Sequence, residues 1–252
     1  MSHSIERPAT ADGLFLWVMH RFSERFEHEA ILKGGMALRL FECPRSTTDI
    51  DYVFSPRSSK KEIEGAVREV LEEIEDATVK VTMHSKMLRA IVELDRTSIQ
   101  VEVSVAEACR SEAMATAAFA REVGQVSQVV RVQARDAALA HKLAAWNERR
   151  LLRDLYDIYF LVSRVGAHPD PSELAARLAR VQSQLPHLKA VRSMTTADLA
   201  EQLSAAAMSL TQADLEAELE ALLPADELAG LDARIRSVLV RLTEKLTAGS
   251  SG

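Results

Sequence analysis

The sequence predicts an α+β fold with three parts: a mixed α/β core over residues 1–133, an all-helical region over 134–248 and a flexible tail over 249–252. Segments rich in β-branched residues, with apolar and polar positions alternating, cluster between residues 49 and 105, and such alternation marks strands with one buried face. From Ala134 to about Leu246 the pattern changes to Ala- and Leu-rich stretches with apolar spacings of three and four, which marks helices. The chain has 252 residues, 47% of them hydrophobic, enough for one large or two small buried cores.

Taken in order, Leu14, Trp17, Val18, Phe22 and Phe26 recur at helical spacing and predict a helix over about 11–30. Ile31 and Leu32 then lead into a sharp Lys33-Gly34-Gly35 turn, and Met36 to Phe41 reads as a short helix. "DIDYVF" (49–54) is a strand. "SPRSSKKEIEGAVREVLEEIED" opens with capping serines and continues as an amphipathic helix. "ATVKVTMHS", "LRAIVELD" and "TSIQVEVSV" are strands, and their short connections favour antiparallel neighbours. Pro and Gly in "VGAHPDPSE" and "LLPADE" break the helical region.

Net charge is −6, so no global field attracts nucleic acid, and an RNA partner would have to meet a local basic patch. Aromatic residues are only 5%, too few for base-stacking platforms. Two cysteines, Cys43 and Cys109, make neither a disulfide framework nor a zinc site. The seven histidines lack metal-ligand spacing, and no Ser/His/Asp or Cys/His arrangement suggests nucleophilic catalysis. With no apolar signal region and no membrane-length apolar run, the expected location is the cytoplasm, with no membrane partner.

Two constellations carry chemistry. In the first, Asp49 and Asp51 lie two apart on a strand and project from one face. The plain explanation is the wet side of an edge strand. The preceding Gly34-Gly35 pair allows the alternative that backbone amides approach a phosphate beside a helix start. In "TSIQVEVSV", Ile99, Val101, Val103 and Val105 point one way while Gln100, Glu102 and Ser104 point the other. Were this strand to pair beside the Asp49–Asp51 strand, three carboxylates would converge in a set of oxygen ligands suited to Mg²⁺ or Mn²⁺ and a phosphate-bearing substrate.

The second constellation is "AALAHKLAAWNERRLLRDLYDIYFLVSR". Leu139, Leu143 and Trp146 form a packing stripe, and Arg135, Ala138, Lys142, Ala145 and Arg149 form a basic, small one. In the next helix, Leu151, Leu152, Leu155, Ile158, Tyr159 and Val162 pack, while Arg150, Arg153, Asp154 and Asp157 take the opposite side. The plain explanation is a solvent face with Arg150–Asp154 and Arg153–Asp157 ion pairs, each worth a few tenths of a kcal/mol.

Together, "LKGGMALRL…RSTTDIDYVF", "VEV" and "HKLAAWNERRLLRDLYDIYFL" resemble the AbiEii-type nucleotidyltransferase toxins, which include the MenT toxins and belong to the DNA polymerase β-like superfamily. Thirteen residues, Met36 to Thr48, separate Gly35 from Asp49, at the long end of the superfamily's range. The resemblance covers roughly Ala30 to Leu161; beyond that the helices match in character only.

The resemblance implies a polymerase β-like core and a metal-dependent transfer of NMP from an NTP to an acceptor, with pyrophosphate released. It implies that Asp49 and Asp51 bind Mg²⁺ or Mn²⁺, with Glu102 completing the metal site or helping to deprotonate the acceptor. Gly34 and Gly35 would cradle the triphosphate, with Arg45 and Thr47 matching the Arg-x-Ser/Thr before the acidic pair. Lys142 would contact phosphate or nucleotide, and Asp154 would be the acid of the helical motif, supported by Arg153 and Asp157. Lys142, Arg149, Arg150 and Arg153 would face an RNA backbone, with the 3′ end of tRNA the leading acceptor and a separately encoded antitoxin the expected partner. Modification of a protein (AMPylation) or a small molecule, and a non-catalytic nucleotide- or partner-binding module, remain the alternatives.

Overall fold

The computed structural model describes residues 7–183, 185–186 and 188–248; the tail expected over 249–252 lies outside the described residues. The chain divides into two compact units, the first ending at Ala134 and the second starting at Arg135.

The first unit is built on a seven-stranded mixed sheet. Its strands are β1 (Ala30–Lys33), β2 (Asp49–Phe54), β3 (Thr78–Met83), β4 (Leu88–Leu94), β5 (Thr97–Val105), β6 (Ser111–Ala115) and β7 (Val129–Gln133), in the spatial order β3-β4-β5-β2-β1-β7-β6. β2 pairs with β1 antiparallel and with β5 parallel, whereas β3, β4 and β5 form an antiparallel meander. The two acidic positions therefore lie on the fourth of seven strands, and the edge-strand explanation for Asp49 and Asp51 does not hold.

Alternation assigns the two sides of the sheet. Ile50, Tyr52, Phe54, Ile99, Val101 and Val103 are buried and join one hydrophobic cluster with α1 (Ala11–Phe26) and α3 (Glu64–Glu72). Phe22 and Phe26 of α1 key into this side, with ring centroids 4.8 Å apart for both Phe22–Tyr52 and Phe26–Phe54. The acids and their polar neighbours take the other side. Thr10 caps α1 by accepting from the Gly13 amide. The helix stops at Phe26, short of the expected residue 30, because Glu27 turns into the left-handed region (φ 51°) and Ala30–Lys33 becomes a strand. Two shorter helices, α2 (Gly34–Leu40) and α4 (Ala117–Glu122), complete the unit.

The second unit is wholly helical among its described residues: α5 (Arg135–Arg149), α6 (Leu152–Ser163), α7 (Pro171–Leu178), α8 (Thr196–Ser209), α9 (Gln212–Leu219), α10 (Ala225–Leu228) and α11 (Leu231–Ala248). Local chemistry starts these helices where it should. Asp170 caps α7 ahead of Pro171, and Thr195 with Asp198 forms a capping box on α8. The α8 and α11 helices lie against each other, and α6 packs between α5 on one side and α9 and α11 on the other. That enclosure buries every α6 residue from Asp154 to Leu161, including two carboxylates expected on a solvent face.

His20 yields a test of the first unit's core. It is buried in α1 with Nε2 3.0 Å from Thr116 Oγ1, while Nδ1 has no partner. Burial pushes its pKa down from 6.5 to about 4, against a smaller upward pull from Glu24. The unfolded chain thus binds a proton that the folded chain refuses, so this contribution to stability is complete above pH 6.5 and is lost as the pH falls towards 4. Thermal unfolding at pH 7.5 and pH 5 should show wild type losing more stability than His20→Gln over that interval; parallel losses would contradict the assignment.

Candidate active site

The geometry of the acidic strand follows from its register. Asp51 stands opposite Lys33 on β1 and Glu102 on β5, and Asp49 stands opposite Gln100. Adjacent partners in a sheet share a face, so Asp49, Asp51 and Glu102 project from the same side. Lys33 Nζ lies 3.6 Å from Asp51 Oδ1.

The two glycines meet this cluster at contact distance. Gly34 opens α2 with φ +69°, and a Cβ there would stand 2.2 Å from Asp51 Oδ2. A Cβ on Gly35 would stand 2.8 Å from Thr47 Oγ1 and 3.2 Å from an Arg45 guanidinium nitrogen. Neither position accepts a Cβ unless those side chains move. Arg45 is buried and donates to the Ser46 carbonyl (3.0 Å); Thr47 Oγ1 donates to the Asp49 carbonyl (3.3 Å). Gly34, Gly35, Arg45, Thr47 and Asp51, scattered over 18 residues of sequence, thus form one packed group.

Glu102 is engaged. Its Oε1 accepts from Arg89 Nε (3.1 Å), Arg89 Nη2 (2.8 Å) and Gln100 Nε2 (2.9 Å). Arg89 is a site residue that the sequence reading missed. Its signal was present in the alternation of "LRAIVELD", which places it on the polar face, but its partner could be known only from the β4–β5 register. Lys33 was missed for the same reason. Asp49 and Asp51 offer the hard oxygen donors that a divalent cation such as Mg²⁺ or Mn²⁺ requires. Glu102 has the right chemistry and register but commits one oxygen to Arg89 and Gln100. With the side chains in this arrangement, no three Asp, Glu, His or Cys residues converge on a metal position among the described residues.

The second unit brings together Lys142, Asp154 and Asp157, together with Arg149. Asp154 and Asp157 are fully buried on α6, facing α5. Lys142 Nζ lies 2.5 Å from Asp157 Oδ2 and 3.8 Å from Asp154 Oδ1. Arg149 grips Asp154 with two parallel bonds, Nε–Oδ2 at 2.6 Å and Nη2–Oδ1 at 2.7 Å, the strong bidentate geometry.

The expected Arg150–Asp154 and Arg153–Asp157 pairs give way to Arg149–Asp154 and Lys142–Asp157 because the helix breaks at Arg150. There φ is +57°, and the residue lies outside both helical periods. Arg150 stacks on Trp146, 4.3 Å from the ring centroid, and bonds Asn147 and Gln202; burial pushes its pKa down. Arg153 is exposed, and its backbone amide donates to Glu218 (3.1 Å).

The family model described as nucleotidyl transferase AbiEii toxin, type IV TA system, matches residues 17–239. The chain belongs to the AbiEii nucleotidyltransferase toxin family. It is accordingly a nucleotidyltransferase of a toxin–antitoxin family. Its fold is shared with MenT4, a nucleotidyltransferase toxin from Mycobacterium tuberculosis H37Rv, at TM-score 0.61 and 20% identity, covering 92% of this chain and 82% of that one. It is shared as well with JHP933 from Helicobacter pylori, at TM-score 0.54 and 15% identity, covering 95% and 93%. No curated protein matches the sequence. No helix among the described residues is long and apolar enough to cross a membrane.

The glycine contacts of this AbiEii-family chain predict unequal effects of substitution. Gly34→Ala should cost about 1–2 kcal/mol from the left-handed backbone alone and should displace Asp51 as well. Gly35→Ala has an ordinary backbone and needs only Thr47 and Arg45 to shift, so it should cost less. Urea unfolding of the two variants checks the order; equal costs would contradict it.

Proposed function

We propose that this AbiEii-family enzyme transfers the nucleoside monophosphate of an NTP to the 3′ end of an RNA, with tRNA the leading acceptor, and releases pyrophosphate. The observation that carries the reading is the packed group of Gly34, Gly35, Arg45, Thr47 and Asp51 in mid-sheet. A glycine turn held against a carboxylate brings backbone amides and a metal-binding side chain to one point, which a metal-complexed triphosphate needs.

In this reading Asp49 and Asp51 hold a divalent cation, Mg²⁺ or Mn²⁺, and Glu102 is the third carboxylate. When bound, that cation supplies charge neutralisation at the transferring phosphoryl group. The chain's own residues do the rest. The Gly34 and Gly35 amides and the Arg45 guanidinium bind and orient phosphate oxygens, a positioning and electrostatic task that accounts for most of phosphoryl-transfer catalysis. Thr47 fixes the loop by its bond to the Asp49 carbonyl. Lys33, beside Asp51, offsets the repulsion between two carboxylates on one strand face before substrate arrives.

The resemblance gives Lys142 the contact with phosphate or nucleotide, and 15% of its side chain is exposed. Asp154 and Asp157 are enclosed and act through it: they hold Lys142 and Arg149 in place and do not touch substrate. The separately encoded antitoxin of such systems is the expected protein partner, and the cytoplasm the expected location.

Incubating the protein with labelled NTPs and total RNA, then sequencing RNA 3′ ends, tests the reading. Wild type should extend a defined RNA 3′ end, and Asp49→Ala and Asp51→Ala should each reduce extension by at least about 100-fold at unchanged folding. Label appearing on protein or on a small molecule, with RNA unlabelled, would overturn the acceptor assignment.

A further inference from the structure

Three of the four cations expected to meet an RNA backbone are engaged inside the helical unit. Lys142 and Arg149 neutralise buried carboxylates, and Arg150 is stacked on Trp146 and bonded to Asn147 and Gln202. Arg149 and Arg153 have exposed side chains, but Arg149 spends Nε and Nη2 on Asp154. An acceptor with a phosphate at every residue needs a cationic surface elsewhere, because neutralising phosphates is the main source of nucleic-acid affinity.

The sheet of the first unit offers one. Two rows cross it on the polar face: Thr82 on β3, Arg89 on β4, Glu102 on β5 and Asp51 on β2; and Lys80, Ile91, Gln100 and Asp49 on the same four strands. Lys80 and Thr82 are exposed, and 39% of the Arg89 side chain is. Arg89 spends Nε and Nη2 on Glu102, which leaves Nη1. At the hairpin between β3 and β4, Lys60 Nζ donates to the carbonyls of His84 (2.8 Å) and Ser85 (2.5 Å). That fixes the 3-10 turn Lys60–Glu62 beside the hairpin and leaves Lys61 exposed next to it. Among the described residues no carboxylate pairs with Lys61 or Lys80.

We propose that this face of β3 and β4, carrying Lys80 and Arg89 with Lys61 beside the hairpin, is the track on which the phosphodiester backbone of the acceptor RNA lies as its 3′ end approaches Asp49 and Asp51. The inference rests on the RNA-acceptor reading above. The track has the right scale: three strand spacings separate β3 from β2, about 14 Å, the reach of roughly four stacked nucleotides. It also has a stated specificity. The face carries Lys80, Arg89, threonine and glutamine, with Glu93 and Glu102 as its acids on β4 and β5, and no aromatic ring among its described residues, so it grips phosphate and sugar and does not read bases by stacking. The competing role for Lys80 is to keep the edge strand β3 from pairing with another chain.

Fluorescence anisotropy separates the two roles. The full chain carrying Asp51→Ala, which prevents turnover, is titrated with 5′-labelled tRNA between 50 and 200 mM KCl, alone and with Lys61→Gln plus Lys80→Gln. The double substitution should weaken binding at 50 mM KCl by at least about 5-fold and flatten the log–log salt dependence by roughly 0.7–0.9 per lysine removed. With Asp51 intact, Lys61→Gln plus Lys80→Gln should leave the affinity for a fluorescent NTP analogue unchanged. An affinity and slope equal to the parent's, with or without new self-association of the variant, would overturn the track while leaving the RNA-acceptor reading intact. Absence of any salt-dependent RNA binding by the parent would overturn both.

Discussion

A carboxylate pressed against a glycine organises the first unit. Asp51 can hold its place only because Gly34 carries no side chain, and Gly34 can open α2 at φ +69° only because it is glycine. The antiparallel register of β1 with β2 puts the turn and the acid side by side, and the parallel pairing of β2 with β5 brings Glu102 to the other flank. Shifting either register by one residue would send the acids into the apolar side and Ile50, Tyr52 and Phe54 into the polar one. Those three are buried against α1 with its Phe22 and Phe26. The core therefore fixes the site: burying the aromatic side of β2 is what aims the acidic side.

The helical unit solves a different problem. Two carboxylates enclosed between helices are costly unless cations meet them, and Lys142 and Arg149 do so from the facing helix. The desolvated pairs lock α5 and α6 in one relative setting, which fixes the Lys142 ammonium more firmly than a solvent-exposed lysine could be. The density of charge in this stretch of sequence thus reports an internal framework.

Much of this was legible in the sequence wherever it depended on local periodicity. The alternation in 97–105 assigned Glu102 to the polar face, and Asp49, Asp51 and the Gly34-Gly35 turn stood out as one short segment. What was not legible depended on partners far apart in the chain. The polar-face role of Arg89 needed the β4–β5 register, and the central place of β2 needed β1 and β7, short strands lost between the strong helical pattern of α1 and the Gly-Gly turn or overshadowed by the helices after Ala134. The ion pairs of α5 and α6 were misread because helical spacing was carried through Arg150, where a left-handed residue resets the phase. The burial of Asp154 and Asp157 followed from α5 folding back on α6 with Lys142 and Arg149 against them, which no local pattern encodes.

We propose that the mid-sheet acids and the glycine turn form the catalytic nucleotide site. The most direct test is a crystal structure of the full chain with a non-hydrolysable NTP analogue and Mn²⁺, read by anomalous scattering. An anomalous peak should lie between Asp49 and Asp51, with the triphosphate over the Gly34 and Gly35 amides. A nucleotide seated elsewhere, or Mn²⁺ bound away from both aspartates, would contradict that assignment.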